Sequence, residues 1–430
     1  MIRQDHRPSS GSIQDSPCRL RVAFLTPLNP PACGIADYSE ELLPYLVRHH
    51  DIVVFTTDGL VPTTKSVADG FQIVGYSHLA DHLSEGRFDQ IVVQLGNSWH
   101  HVECYGHLLR YGGIAVLHDL NLSGIIGGKT LARGDVVGFF REMLSAEGAP
   151  ATTRALARFL VTRRLPNHSD WWMNRMVLRR GTAFIVHNEY ASRLVRASLR
   201  EMGLATPVWK VPQGVPLMPE YEDGEAAMRR ARTRLGLSDR SFVVGSFGAL
   251  DECKRLSVAL RAFARLQARH PDSLYLLVGQ DLGGYREMVR SMGLADRVRL
   301  TGHVDPDAFY EYMAACDCCI NLRYPSRGET SAALLRVMSL GKPTAITKYA
   351  QFLEYPDESC LKIDLGPQEE SELSAALHEM AAKPALRAAI GENARRYIRQ
   401  HHSMERAAEG YSRVIIAAPR PSLPRGARSN

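Results

Sequence analysis

Short apolar runs alternate with helical stretches along most of this chain, and that rhythm constrains the fold more than any other feature. Leu20–Thr26, Ile52–Phe55, Gln90–Gln94, Ile114–Leu117 and Ala183–Val186 are brief and rich in Val, Ile and Leu. Strands covered on both faces have this composition. Segments of helical periodicity such as Tyr38–Val47 separate them, so a doubly wound parallel sheet is expected. The pattern pauses at Lys210–Pro219, where Pro212, Gly214, Pro216 and Pro219 break any regular element. It restarts at Phe242–Ser246, Leu274–Val278, Val298–Leu300, Cys318–Leu322 and Thr344–Thr347. The fold class expected is therefore α/β, with two Rossmann-like doubly wound domains facing across a cleft. A chain of 430 residues is long for one core and suits two of about 200 residues each. The expected division is a disordered leader (1–19), a first domain (20–213), a second domain (214–393) and a disordered Pro- and Arg-rich tail (418–430).

The helix after Cys318–Leu322 opens on Gly328, Glu329, Thr330 and Ser331. Thr330 and Ser331 are suitable N-caps, Leu334, Leu335 and Met338 recur at helical spacing, and Gly341 with Pro343 ends the helix. Glu329 thus sits at the helix mouth. Free N–H groups and the positive end of the dipole suit a phosphate there, and a carboxylate beside them accepts from sugar hydroxyls. A capped core helix with a solvated glutamate is the plain alternative.

Ligands of open parallel sheets sit beyond the carboxyl ends of the strands, so the loops there carry the chemistry. In Pro30–Ser39, Gly34 lets the backbone approach a ligand and Asp37 or Ser39 is placed to cap the next helix. The strand Ile114–Leu117 runs into His118 and Asp119, an imidazole and a carboxylate suited to a sugar hydroxyl or a leaving group. His187 and Asn188 end Ala183–Val186, where a structural role is the better reading. Gly248 is followed by the adjacent cations Lys254 and Arg255, a counter-charge for a diphosphate unless they are solvated surface cations. Asp305 and Asp307 form a D-x-D that in some sugar-transferring enzymes holds a divalent metal; here it precedes an evident helix, so capping is expected and no metal.

The net charge of +6 is mild for this length, favouring an anionic substrate or membrane surface and giving no footprint of a nucleic-acid partner. No run approaches the roughly 18 apolar residues of a membrane span, and Met1–Arg19 lacks a signal-peptide core. The expected location is the cytoplasm, with a peripheral position at the inner face of the membrane. That position is suggested by Arg154–Arg180, which mixes arginines with Trp171, Trp172, Met173 and Met176 and suits an anionic lipid surface, or else a helix packed on its own domain. The cysteines are scattered, and the cluster Cys316, Cys318 and Cys319 is too tight for C-x-x-C metal pairing, so they read as reduced, mostly buried thiols.

With these residues in place, the chain resembles the retaining glycosyltransferases of the GT-B fold, in particular the family-four group of bacterial mannosyl- and glucosyltransferases. The resemblance spans roughly residues 20 to 417. It is carried by PPACGIADYS, the VLHD strand end, VPQGVP, Lys254 after a Gly-ended strand, GHV at 302–304, and the GET helix with its trailing GKP. It implies a UDP- or GDP-sugar donor, a glycan or lipid-linked acceptor, and no cofactor or metal. By that resemblance His118 lies near the donor sugar, Lys254 and Arg255 on its diphosphate, and Glu329 on sugar hydroxyls. Gly34 shapes the cleft floor, while Gly302, His303 and Val304 lie near the base. Gly248, Gly328, Thr330, Ser331 and Arg336 complete the donor-binding set. A last helix near 394–417 looks like the one that crosses back to brace the first domain.

The chain also departs from that pattern. The family's second glutamate, which serves the ribose, falls on Arg336, about two helical turns beyond Glu329. Arg336 cannot accept from a ribose, so it is left to reach a phosphate or to pair with Glu329. The family's arginine before the lysine is absent, since Ala249 follows Gly248, and Arg255 is its substitute. The activity implied is retaining transfer of a hexose in cell-surface polysaccharide or glycoconjugate synthesis. A nucleotide-sugar epimerase-like enzyme and a catalytically silent partner subunit are the rivals.

Overall fold

The structure, a computed structural model, describes residues 19–31, 33–162 and 171–421. The expected leader up to residue 18, residues 163–170 of the Arg-rich stretch and the tail from residue 422 lie outside the described residues.

Two parallel sheets form, as the apolar runs require. The first contains β1 (Arg21–Leu25), β2 (Asp51–Thr56), β3 (Gln72–Gly75), β4 (Gln90–Leu95), β5 (Gly113–Leu117), β6 (Gly181–Val186) and β7 (Val208–Lys210), in the order β3-β2-β1-β4-β5-β6-β7. The second contains β8 (Val243–Phe247), β9 (Leu274–Val278), β10 (Val298–Gly302), β11 (Cys318–Asn321), β12 (Thr344–Thr347) and β13 (Leu361–Ile363), in the order β10-β9-β8-β11-β12-β13. Each order reverses once, between β1 and β4 and between β8 and β11, which opens a crevice at that point of each carboxyl edge. Helices cover both faces of each sheet, and each sheet has two apolar cores, one per face.

β3, β7 and β13 were not marked by apolar runs, and all three lie at sheet edges. Their residues are only partly covered, β7 reading buried, exposed, exposed, so the continuous apolar signature of a central strand is missing.

The segment between the sheets is tied to the returning chain. The expected single crossing helix is two: Pro384–His401 packs on the second domain, and Met404–Ala417 packs on the first against the helix Gly34–Leu46. The break has a local cause. Ser403 caps the last helix, and His402 is drawn out of the preceding one to bond Gln213 O through Nδ1 at 2.9 Å. Val215 N donates to His402 O at 2.8 Å, so the outgoing and returning strands of the chain lie side by side. Gly214 permits this: a Cβ there would stand 2.9 Å from Met404 Sδ and 3.0 Å from Ala407 Cβ.

Two smaller expectations change as well. The helix after β1 begins at Gly34, so Asp37 and Ser39 fall inside it and neither caps it. Asp37 instead accepts from Asn29 Nδ2 at 2.9 Å, and Ser39 bonds Thr26 Oγ1 at 2.8 Å. Trp171 and Trp172 pack against the first core and Met173 is fully buried, so this aromatic cluster belongs to the fold rather than to an outward face. The seven cysteines among the described residues are all free, and six are buried.

Gly214→Val forces the linker off the last helix. Overpacking of this kind costs about 1–3 kcal/mol. The variant is expected to melt several degrees below wild type in differential scanning calorimetry, and an unchanged profile would contradict this packing.

Candidate functional site

The carboxyl edges of the two sheets meet at a short list of side chains. On the first domain, β5 carries His118 out of the sheet, its backbone N–H still donating to Leu95 O at 2.9 Å. Its Nε2 lies 2.6 Å from Gln94 Oε1. An amide oxygen only accepts, so Nε2 carries the proton and Nδ1 is the acceptor nitrogen. Burial, with His187 and His101 nearby, holds the imidazole neutral, well below its usual range. Tyr38 and His187 fix the ring, at 5.2 and 4.6 Å between centroids. Asp119 follows. One of its oxygens accepts from Asn97 N at 3.1 Å, and burial together with the facing Glu329 pushes its carboxyl up to about 6, against the pull of Arg327 and Arg323.

His187 behaves as a structural histidine, bonding Val211 O through Nδ1 at 2.9 Å. Asn188 has two roles. Its Oδ1 caps the helix Glu189–Glu201 by accepting from Ala191 N at 2.8 Å, and its Nδ2 crosses the cleft to Gly328 O and Thr330 Oγ1, both at 3.0 Å.

On the second domain, the loop after β8 turns at Gly248 with φ 85°, and a Cβ there would stand 2.8 Å from Lys254 Nζ. Glycine therefore lets the ammonium fold back on Phe247 O, to which it donates. Burial and the neighbouring Arg323 bring Lys254 down to about 7. After β11, Arg323 Nε stands 3.1 Å from Glu329 Oε1, close enough for an ion pair but without hydrogen-bond alignment. Glu329 Oε2 accepts from Arg327 N at 2.7 Å, and Arg327 extends an NH2 to Cys253 Sγ at 3.3 Å. Ser331, not Thr330, caps the helix Ala332–Ser339. Gly328 has φ 78°, and a Cβ on it would lie 2.7 Å from Leu120 Cδ1, so only glycine allows Leu120 N to donate to Arg327 O at 2.9 Å across the cleft.

Two of the expected donor contacts go elsewhere. Arg255, at φ 51° where the helix Leu256–Arg269 begins, forks onto the buried Glu369 instead of facing the cleft, with Nε to Oε1 at 2.6 Å. Arg336 does not pair with Glu329. It reaches across the cleft to Glu41 at 2.6 and 2.7 Å, while its Nε donates to Tyr310 OH at 3.1 Å. Burial works against the charge of Arg336, but Glu41 and Tyr310 hold the guanidinium firmly protonated. Gly34 is the first residue of its helix, with open space where a Cβ would stand. Gly302 ends β10, two strands out from β8, and His303 and Val304 follow it on the same rim. Asp305 caps the helix Pro306–Ala315, accepting from Ala308 N at 2.8 Å.

Asp251, Asn321, Arg323 and Arg327 were not singled out from the sequence. Asp251 Oδ1, Asn321 Nδ2, Arg323 Nε, Arg327 Nε and Glu329 Oε1 are all buried without a hydrogen-bond partner. Arg323 Nε and Glu329 Oε1 keep their ion pair, but a buried polar atom without a hydrogen bond costs about 1–3 kcal/mol, so this group at one cleft suits a polar ligand. The signal was present in the strand-end rule, since Asp251 follows β8, Asn321 ends β11, and Arg323, Arg327 and Glu329 follow β11.

Residues 228–397 match the family of glycosyl transferases group 1. An uncharacterized glycosyltransferase of Bacillus subtilis, YqgM, is 22% identical over 344 residues, 78% of this chain and 80% of the relative. Among solved structures, sucrose-phosphate synthase from Thermosynechococcus elongatus matches with TM-score 0.63 and 18% identity over 92% of this chain and 98% of that one. Anabaena HepE in complex with UDP-glucose matches with TM-score 0.64 and 15% identity over 93% and 100%.

Lys254→Ala should leave the melting temperature near that of wild type while lowering turnover at least a hundredfold; equal loss of both would refute its role in the site. The ammonium also sets a pH dependence. The free enzyme protonates Lys254 near pH 7, and an anionic diphosphate favours that form. Affinity for a diphosphate-bearing ligand is therefore level below that point and weakens by about tenfold per unit above it, until the pKa of the complex is reached. Calorimetric titration of wild type and Lys254→Ala reads this, and the variant should lose the slope.

Proposed function

From a chain that is a glycosyltransferase of the GT-B fold, its second domain belonging to the glycosyl transferases group 1, we propose retaining transfer of a hexose from a UDP- or GDP-sugar to a hydroxyl of a glycan or lipid-linked acceptor. The observation that carries this reading is the set of unmatched polar atoms on Arg323, Arg327, Glu329, Asp251 and Asn321 beside the buried Lys254. Cations in a dry, preorganised cleft are what a departing diphosphate needs. UDP-glucose bound by Anabaena HepE, a protein of the same fold, supports a nucleotide-sugar donor.

In this mechanism the bond between the anomeric carbon and the diphosphate oxygen breaks as the acceptor oxygen bonds to the same face of that carbon. The acceptor proton passes to the departing diphosphate, whose charge Lys254, Arg323 and Arg327 stabilise. Glu329 accepts hydrogen bonds from sugar hydroxyls, and His118, neutral with Nδ1 as acceptor, serves the sugar from the first domain. Asp119 stands on the acceptor side of Glu329. With a carboxyl near 6 it is ionised above that pH and accepts from a neighbouring hydroxyl of the acceptor, leaving the proton of the attacking hydroxyl to the diphosphate. Trp99, exposed after β4 with His100 against it at 3.9 Å, offers a ring face to an acceptor sugar.

A panel of UDP-, GDP- and ADP-hexoses tests the donor, read as binding and slow hydrolysis in wild type and Glu329→Ala. One donor should bind selectively and lose most of its turnover in the variant, whereas no binding to any would overturn the proposal. The product's anomeric configuration, read by NMR, should equal that of the donor; inversion would exclude same-face transfer.

A further inference from the structure

The helices after β5 carry a surface that sugar transfer does not use. Val136–Glu147 and Ala149–Thr162 join the first core through Phe139, Met143, Ala146 and Ala155, and the rings of Phe140 and Phe159 lie 5.7 Å apart. Their outer faces would ordinarily be polar. Instead Val137 is 80% exposed, Val161 84%, Leu160 56%, Leu144 49% and Leu156 39%. Exposed Arg133, Arg141 and Arg154 are interleaved with them. Arg179, exposed on the helix Arg175–Arg180, extends the patch by donating to Ser145 O at 3.2 Å.

The acids of the region offset this charge only in part, since Asp135, Glu142 and Glu147 are outnumbered by Lys129, Arg133, Arg141, Arg154 and Arg179. Glu142 pairs with Lys129 at 2.6 Å, Glu147 accepts from Met173 N at 2.6 Å, and Asp135 caps its helix by accepting from Gly138 N at 2.7 Å. Among the described residues no helix is long and apolar enough to cross a membrane, so a lipid contact here lies on the surface.

We propose that this face docks on an anionic lipid surface. The five aliphatic side chains enter the headgroup boundary and the arginines meet lipid phosphates, a pairing that needs both the apolar exposure and the excess of positive charge seen here. Single aliphatic side chains spaced among cations suit a fluid layer of headgroups. The surface belongs to the first domain, so docking holds the acceptor side of the cleft next to lipid, where a lipid-linked acceptor would be.

The full chain is sedimented with vesicles of phosphatidylglycerol and phosphatidylcholine, and with phosphatidylcholine alone, beside the double variants V137D/V161D and R141E/R154E. Wild type should sediment with the anionic vesicles only, and less at high salt. Each double variant should bind about tenfold more weakly or worse, with circular dichroism and donor hydrolysis in solution unchanged. Wild type left in the supernatant, or variants that bind as wild type does, would overturn the proposal. So would substitutions that instead split a dimer in gel filtration, which would assign the face to a second copy of the chain.

Discussion

Two parallel-sheet domains make one site only if their facing loops touch, and in this chain the touch is made at Gly328. Its φ of 78° and missing Cβ admit Leu120 from the other domain, and around it Leu120 N meets Arg327 O while Asn188 binds Gly328 O and Thr330. Two charged contacts flank this point. Arg336 forks onto Glu41 on one side, and on the other Glu354 accepts from Glu189 N and Tyr190 N, at 2.9 and 2.8 Å, at the head of a first-domain helix. A carboxylate is favoured at that position because the helix dipole presents its positive end there.

This closure explains the electrostatics of the cleft. His118 and Lys254 are buried and Asp119 faces Glu329 because the walls are near each other, and their protonation follows: the imidazole is neutral, the ammonium is brought down, the carboxyl is pushed up. Arg323 and Arg327 hold the balance as permanent cations. Withdrawing Arg255 to Glu369 and Arg336 to Glu41 leaves these two arginines, with Lys254, as the positive charge of the site.

The sequence was most legible where burial is complete. Central strands such as β4 and β9 announce themselves because both faces are covered and most residues are apolar, whereas the edge strands β3, β7 and β13 are only partly covered and so carry no such run. At the site, the strand-end rule led to His118, Lys254 and Glu329, which the structure brings to one cleft. It misjudged Arg255 and Arg336, since nothing in a local motif tells an arginine that Glu369, far along the chain, or Glu41, in the other domain, will claim it. The split of the last helix at His402 was hidden for the same reason, because its cause is Gln213 on the linker.

The proposed function puts the diphosphate and sugar at Lys254, Arg323 and Arg327, beside Glu329. A crystal structure with the bound nucleoside diphosphate or its sugar tests it most directly. Phosphate oxygens are expected within hydrogen-bond distance of Lys254 and at least one of the two arginines, with Arg336 still on Glu41 or released only by domain opening. A diphosphate held by Arg255, or lying away from the loops after β8 and β11, would contradict it.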